Sequence, residues 1–208
     1  MEPSAILLRP NYDTTTAYLH EWSAIIKNFA ETKGLDIFDL SHLKATHKTF
    51  ISYLQKNNSS LIIFNCHGSS TALFGHNNEI LLSSKDSSMV KDKTIYARSC
   101  QAGSNLGLVL VKQGVKAFIG YKRDFIFPFD TNKTTTPLRD DVCKPIFECS
   151  NKIAFTLIKG GTPQDAHSRS MDAYDYWIRH YIDDHSIEAP QIIRCLLWNQ
   201  MNQVCIEN

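Results

Sequence analysis

Two short apolar segments constrain the fold of this chain more than any other feature of its sequence. Leu61–Asn65 is a continuous apolar run that leads into His67 and Gly68, and Thr94–Arg98 is a second run that leads into Cys100. Apolar runs without alternation are typical of strands buried on both faces of a parallel sheet. If the two strands are parallel, His67 and Cys100 emerge together at the carboxyl edge of the sheet, where open α/β folds place their chemistry.

The remaining sequence predicts an α/β order on both sides of these runs. Short apolar runs predict strands, and apolar residues at three- and four-residue spacing predict helices. Before Cys100 the predicted elements are a strand at Ala5–Arg9, a helix from Asp13 to Gly34, a strand at Leu35–Leu40, a helix at Thr46–Lys56 and a hairpin at Ala72–Leu82. After it they are a helix at Asn105–Gln113, a strand at Val115–Tyr121 and helices at Val142–Lys159, Thr162–Asp183 and Pro190–Val204. This order predicts one α/β domain over residues 1–208, with a mainly parallel sheet between helices and a helical C-terminal third.

Composition and charge exclude several classes of protein. The chain has 208 residues and a net charge of +1, so neither nucleic acid nor a membrane surface is expected as a partner. The apolar run near the N-terminus is too short for a signal peptide, and no stretch approaches the ~20 apolar residues of a transmembrane helix. Six cysteines are spread without a C-x-x-C pair, which favours free thiols in a reducing compartment. We therefore expect a cytoplasmic protein.

Cys100 and His67 have the chemistry of a nucleophile and its general base. A thiol attacks only as the thiolate, and a histidine beside it can accept the proton. The helix predicted after Cys100 would stabilise the anion through its amino end, while Gly103 leaves room for a sharp turn. The backbone N–H groups of Gly68 and Cys100 are the best placed donors for an oxyanion.

Each of these residues also has a purely structural interpretation. Cys100 could be a buried thiol at a strand end, and His67 with Gly68 could form a simple turn; the conjunction of the two motifs is what favours a site. Strand alternation turns Cys66 to the other face, where it is expected to pack in the core. A zinc site formed by Cys66, His67, His76 and Cys100 fits no standard ligand spacing, so neither a metal nor a cofactor is expected.

These motifs resemble the caspase-related cysteine peptidases, a clan that includes caspases, metacaspases, gingipains, separases and CHAT domains. The pattern His67-Gly68, a hairpin, Cys100-Gln-Ala-Gly103 and then Gly114–Gly120 resembles CHAT domains most, over about residues 58–121. The resemblance implies a caspase-like three-layer sandwich with His67 as general base or acid and Cys100 as nucleophile. It also implies that the backbone of Gly68 and Cys100 forms the oxyanion hole. Caspases carry Gln-Ala before the cysteine, whereas this chain carries Arg-Ser.

The resemblance further implies that Arg98 borders the pocket for the residue preceding the scissile bond. Alternation along the strand places Arg98 on the same face as Cys100, and a guanidinium there would favour an acidic side chain. Arg123, just past the next strand, could join it, and Asp124 is a further candidate for substrate binding. In the alternative, Asp124 pairs with Arg98, which then sets no specificity.

The sequence therefore predicts a cysteine endopeptidase that cleaves one protein partner rather than digesting broadly. By analogy with bacterial members of the resembled family, it would activate an effector in antiviral defence or cell death, and an activating protein partner is also considered. An inactive caspase-like scaffold is the alternative, against which the intact pair of Cys100 and His67 argues. The absence of a G-x-G-x-x-G motif argues against a flavodoxin-like or Rossmann ligand binder. The long segment 122–141 is predicted to be a mobile flap over the cleft.

Overall fold

A computed structural model describes residues 4–207; residues 1–3 and residue 208, at the two ends of the predicted domain, lie outside the described residues. The strands are β1 Ser4–Arg9, β2 Asp36–Ser41, β3 Leu61–Asn65, β4 His67–Gly68, β5 Ala72–Phe74, β6 Ile80–Ser83, β7 Thr94–Arg98, β8 Ala117–Tyr121 and β9 Gln203–Glu207. The helices are α1 Thr14–Thr32, α2 His47–Lys56, α3 Leu106–Lys112, α4 Lys144–Ile158, α5 Pro163–Ile182 and α6 Ala189–Asn202. Across residues 4–207, no helix is long and apolar enough to cross a membrane.

The strands form one large sheet and one small one. The large sheet has the order β2-β1-β3-β7-β8-β9, in which only β9 is antiparallel to its neighbour. The small sheet, β4-β5-β6, is antiparallel and contains the hairpin predicted after His67. The predicted α/β fold with a mainly parallel central sheet is therefore confirmed. Asn65 pairs with Arg98 in the β3–β7 ladder, so both strands end at one level of the sheet.

Strand alternation divides the apolar residues of the large sheet between two layers of helices. Ile62 and Phe64 of β3 face a core that includes residues of α2 and α3. Ile63 of the same strand and Tyr96 of β7 face the opposite core, which includes residues of α1, α4 and α5. Burial on both faces explains why β3 and β7 are continuous apolar runs in the sequence.

The C-terminal third departs from the prediction at its end. The last helix stops at Asn202, and Gln203–Glu207 forms β9 along β8, where the sequence predicts helix up to Val204. The side-chain carbonyl oxygen of Gln203 accepts hydrogen bonds from the hydroxyl groups of Tyr121 (3.2 Å) and Ser170 (3.0 Å). These tertiary contacts, together with the backbone ladder to β8, favour a strand where the local sequence pattern continues the helix.

The segment 122–141 is irregular, as predicted, but it is anchored at both ends. Near its start, the side chain of Asn199 accepts a hydrogen bond from the backbone N–H of Ile126 and donates one to its carbonyl oxygen. Near its end, the buried Asp140 accepts hydrogen bonds from the Tyr18 hydroxyl (2.7 Å) and from the backbone N–H of Asp130 (2.9 Å). Opening as a flap stays a prediction, and it would have to break these contacts.

Candidate active site

The carboxyl edge of the large sheet brings the segments of His67 and Cys100 into contact through Gly68. A Cβ atom built at Gly68 would lie 2.7 Å from the carbonyl oxygen of Cys100 and 2.9 Å from Cβ of Ser99. The backbone of Gly68 therefore packs directly on the turn that carries the thiol, and only glycine fits without displacing that turn. Here the glycine serves close backbone approach rather than an unusual backbone dihedral angle.

The imidazole of His67 is held by the carboxylate of Asp13, which the sequence analysis placed only at the start of a helix. The Nε2 atom of His67 lies 2.7 Å from Oδ2 of Asp13. The other carboxylate oxygen, Oδ1, accepts a hydrogen bond from the backbone N–H of Thr16 at 2.7 Å, which caps α1. Because Asp13 engages Nε2, the Nδ1 atom of His67 is the ring nitrogen left to exchange a proton with a thiol.

Hydrogen bonding favours the ionised form of the Asp13 carboxyl. Partial burial of Asp13 opposes its ionisation, but hydrogen bonds from Thr16 and His67 outweigh burial and hold the pKa of the carboxyl below its ordinary value. An ionised Asp13 fixes the orientation of the ring through Nε2. Asp13 follows β1 at the carboxyl edge of the sheet, and that position is the signal in the sequence that could have identified it.

A tyrosine links His67 to the turn of the hairpin. The ring of Tyr12 packs edge-on against His67, with centroids 6.0 Å apart, and against His76 at 5.7 Å. Its hydroxyl donates a hydrogen bond to the side-chain oxygen of Asn78 at 2.7 Å. His76 lies in the hairpin turn and contacts Tyr12 rather than projecting freely into solvent. Tyr12 is a residue of the site's surroundings that sequence reasoning missed.

The Cys100 thiol lies in surroundings that oppose its ionisation. Burial raises the pKa of Cys100 to about 11; a hydrogen bond from the backbone N–H of Phe125 acts in the opposite direction, and the charge and hydrogen bonding of Asp124 add smaller contributions that raise the pKa. The next helix, α3, begins only at Leu106 and has seven residues. Its start agrees with the predicted start near Asn105, and stabilisation of the thiolate by its amino end stays a prediction.

Hydrogen bonds hold Arg123 and Asp124, in the segment after β8, beside the Cys100 thiol. Gln101, which has a positive φ of 58°, donates from its backbone N–H to the carbonyl oxygen of Arg123 at 3.1 Å. The side-chain amide of Gln101 donates to Oδ1 of Asp124 at 2.9 Å. The indole N–H of Trp198 donates to the carbonyl oxygen of Asp124 at 2.8 Å. Asp124 is therefore held next to Cys100 by contacts with both its side chain and its backbone.

Arg98 is completely buried beneath α4 rather than exposed in a pocket. Its Nη1 atom donates hydrogen bonds to the side-chain oxygens of Ser150 (3.0 Å) and Asn151 (2.7 Å). Its guanidinium carbon lies 5.0 Å from the centroid of the Phe147 ring. The Nε and Nη2 atoms have no hydrogen-bond partner among residues 4–207, and both side-chain polar atoms of the neighbouring Asn65 also lack one.

The structure separates three residues that the sequence analysis grouped in one substrate pocket. Asp124 is bonded to Gln101 and not to Arg98, and no ion pair of Arg98 occurs within residues 4–207, so pairing of Asp124 with Arg98 is wrong. Arg123 is exposed and lines a surface cavity to which Arg98 does not contribute. The reason is that the Arg98 side chain lies on the α4 side of the sheet, where Phe147 and Asn151 enclose it.

Two further expectations concern cysteines and metals. Cys66 is buried in the core that includes residues of α2 and α3, as predicted, and burial raises the pKa of its thiol to about 12. In the part of the chain that the structure describes, no group of three or more histidine, cysteine, aspartate or glutamate side chains is arranged to hold a metal ion.

Comparisons with known proteins identify the fold. No protein-family model matches the chain, and no curated protein matches it. Among solved structures, the complex of the pro- and mature domains of RgpB from Porphyromonas gingivalis aligns with 99% of this chain and 47% of its own, at a TM-score of 0.62 and 10% identity. This chain thus spans about half of that one. RgpB is a gingipain, and at this identity the likeness shows the fold alone.

The chain therefore has the α/β fold of the caspase-like cysteine peptidases, as the sequence motifs predicted. The narrower resemblance to CHAT domains stays a prediction.

Proposed function

We propose that this chain is a cysteine endopeptidase that hydrolyses peptide bonds through Cys100 and His67. The observation that carries the proposal is the imidazole of His67, which Asp13 holds, beside a glycine that packs on the backbone of Cys100. A thiol, an imidazole and an orienting carboxylate are the three groups that nucleophilic acyl transfer uses. The caspase-like fold supports the same class of reaction.

In the proposed reaction, Nδ1 of His67 takes the thiol proton while Sγ of Cys100 attacks the carbonyl carbon of the scissile peptide. The oxygen of the tetrahedral intermediate accepts hydrogen bonds from the backbone N–H groups of Gly68 and Cys100. His67 then donates its proton to the leaving amine, the C–N bond breaks and a thioester remains. Water, deprotonated by His67, hydrolyses the thioester and releases the thiol and a carboxylic acid product. Asp13 stabilises the imidazolium in both halves of the reaction.

We also propose that Arg98 favours an acidic residue immediately before the scissile bond. The Nε/Nη2 edge of a guanidinium is one that can chelate a carboxylate, and in Arg98 this edge has no partner. The amide of Asn65, opposite Arg98 in the β3–β7 ladder, offers a further unpartnered polar group. Because Arg98 is fully buried under Phe147 and Asn151 of α4, an acidic side chain reaches it only after the residues that enclose it move. A pocket of this kind favours limited cleavage of one protein partner over broad digestion.

The role in bacterial defence or cell death, in which cleavage activates an effector, rests on the sequence resemblance alone. We propose this role as the biological process in which such a peptidase would act. An activating protein partner that displaces the segment around Asp124 would have to break the hydrogen bonds that Gln101 and Trp198 donate to Asp124.

A second candidate function is a catalytically inactive module that uses the same fold to bind a partner. The observation that favours it is the pKa of the Cys100 thiol, which burial and Asp124 raise to about 11. A thiol with that pKa is almost wholly protonated near neutral pH. Labelling with a thiol-reactive probe separates the two candidates, since equal labelling of wild type and Cys100→Ala favours the inactive module.

The decisive experiment is a cleavage profile with a peptide library, run on wild type beside Cys100→Ala. We expect cleavage that depends on Cys100. Otherwise identical peptides with Asp, Leu or Arg before the scissile bond then test the acidic preference, with wild type, Arg98→Lys and Arg98→Ala. A preference for Arg, or an Asp preference that both substitutions leave unchanged, contradicts the role of Arg98.

A further inference from the structure

The outer face of α6 carries an apolar stripe that ends beside Cys100. Leu197, Trp198 and Met201 lie at three- and four-residue spacing, so they share one face of the helix. They are 41%, 40% and 76% exposed, whereas Cys195 and Leu196 of the same helix are buried. The buried residues pack α6 onto the core, whereas the apolar surface of the stripe stays exposed.

Hydrogen bonds connect this stripe to the residue after the nucleophile. The indole N–H of Trp198 donates to the backbone carbonyl oxygen of Asp124 (2.8 Å), and the Asp124 side chain accepts from Gln101 (2.9 Å). A surface cavity of about 470 Å³ is lined by Gln101, Arg123, Asp124, Trp198, Met201 and Asn202. The cavity therefore starts one residue from Cys100 and continues along the apolar face of α6.

The wall of this cavity is built before any ligand arrives. The backbone N–H of Lys122 donates to the carbonyl oxygen of Asn202 at 2.8 Å. The side chain of Asn199 makes two hydrogen bonds to the backbone of Ile126, one as donor and one as acceptor. Together with the Trp198 bond, these contacts fix α6 against segment 122–126. A pre-organised wall reduces the entropy lost when a ligand binds.

We propose that this cavity is a subsite for one large apolar side chain, aromatic or long aliphatic, of a peptide substrate near its scissile bond. The inference rests on the proposed endopeptidase function. The face of the Trp198 indole offers a stacking surface, since its N–H is already satisfied by Asp124. The flexible thioether of Met201 adapts to different apolar shapes. The exposed Arg123 lies at the rim, where its guanidinium can meet the carbonyl oxygens of the extended substrate.

Peptides that differ at a single position test the subsite. A cleavable peptide is made with Phe or Ala at each of three positions on either side of the scissile bond, and kcat/KM is measured for each pair. We expect Phe to be favoured by ~10–100-fold at one position, the range for apolar pockets. Met201→Ala and Trp198→Ala should reduce that ratio. The matched control is Ile182→Ala, which removes an exposed apolar side chain (63%) at the end of α5, outside the cavity.

A binding arm keeps this inference separate from the proposed function. Fluorescence anisotropy measures the binding of labelled Phe and Ala peptides to Cys100→Ala, alone and combined with Met201→Ala. Loss of Cys100-dependent cleavage for every peptide would overturn the endopeptidase function. In that case, the affinity of Cys100→Ala for the Phe peptide relative to the Ala peptide would alone test the subsite. The subsite is overturned if Phe and Ala peptides bind and react alike, or if Met201→Ala and Trp198→Ala leave the preference for Phe intact. Tighter binding of the Phe peptide that Met201→Ala weakens supports it.

Discussion

Replacing Asp124 by Asn should make the Cys100 thiol easier to ionise. Burial and the Asp124 carboxylate raise the pKa of the thiol from 9.0 to about 11. The raised pKa lowers the thiolate fraction at pH 7 from about 1 in 10² to about 1 in 10⁴ and corresponds to ~2.7 kcal/mol against ionisation. Burial is the larger cause and remains in the variant. We therefore expect Asp124→Asn to lower the thiol pKa by ~1 unit, or ~1.4 kcal/mol.

The direction of this pH dependence follows from the charge of the thiolate. The neutral thiol persists below its pKa, so alkylation accelerates as pH rises and levels off above the midpoint. In wild type the midpoint should lie near 11, and in Asp124→Asn it should lie lower, with ~10-fold faster alkylation at pH 7.5. The Asn side chain keeps an oxygen that can accept the hydrogen bond from Gln101, so the turn after Cys100 should be retained.

Iodoacetamide alkylation between pH 6 and 12, followed by mass spectrometry of the Cys100 peptide, measures this midpoint. Cys100→Ala supplies the background from other cysteines. The control substitution is Asp92→Asn, which removes an exposed carboxylate at the opposite end of β7 from Cys100, at a positive φ that Asn accepts. A wild-type midpoint near 7 would refute the argument from burial. An unchanged midpoint in Asp124→Asn, or an equal shift in Asp92→Asn, would refute the role of Asp124.

Four further predictions concern the proposed catalytic groups. Cys100→Ala should abolish peptide cleavage while unfolding in urea shows a stability within ~1–2 kcal/mol of wild type. His67→Ala should lower kcat by ~10²–10⁴, and a larger loss in His76→Ala would contradict the assignment. Asp13→Asn should keep the cap of α1 but present an N–H to Nε2 of His67. This contact disfavours the tautomer that is protonated on Nε2, so kcat should fall while the thermal unfolding temperature changes little. Gly68→Ala should destabilise the fold by ~1–3 kcal/mol in urea because its methyl group meets the Cys100 turn.

The core strands could be predicted because their own side chains carry the signal. Leu61–Asn65 and Thr94–Arg98 have the same bounds in the sequence analysis and in the structure. Both lie in the middle of the sheet, where every side chain except that of Thr94 is buried, so a largely apolar run is the expected pattern. Gln203–Glu207 lacks such a run, since it is partly exposed at the edge of the sheet, and it becomes a strand by pairing with β8.

Within the candidate site, only residues that belong to local sequence motifs could be predicted. His67 and Cys100 each follow a recognisable strand and adjoin a glycine or a glycine-containing turn. Asp13 could not be assigned to His67, because 54 positions separate them and an aspartate is common at the start of a helix. Trp198 is 74 positions from Asp124, and its helical pattern does not show that its indole closes a cavity beside the thiol.

By itself, the sequence determined the α/β class, the parallel order of the core strands and the two motifs that end at one edge of the sheet. Only the tertiary structure decided how the polar side chains near that edge are used. Arg98 is buried under α4, burial together with Asp124 opposes ionisation of Cys100, and Asp13 orients His67. The physical reason is one of range: apolar periodicity reports burial within a few residues, whereas hydrogen bonds and charge interactions depend on where distant segments meet.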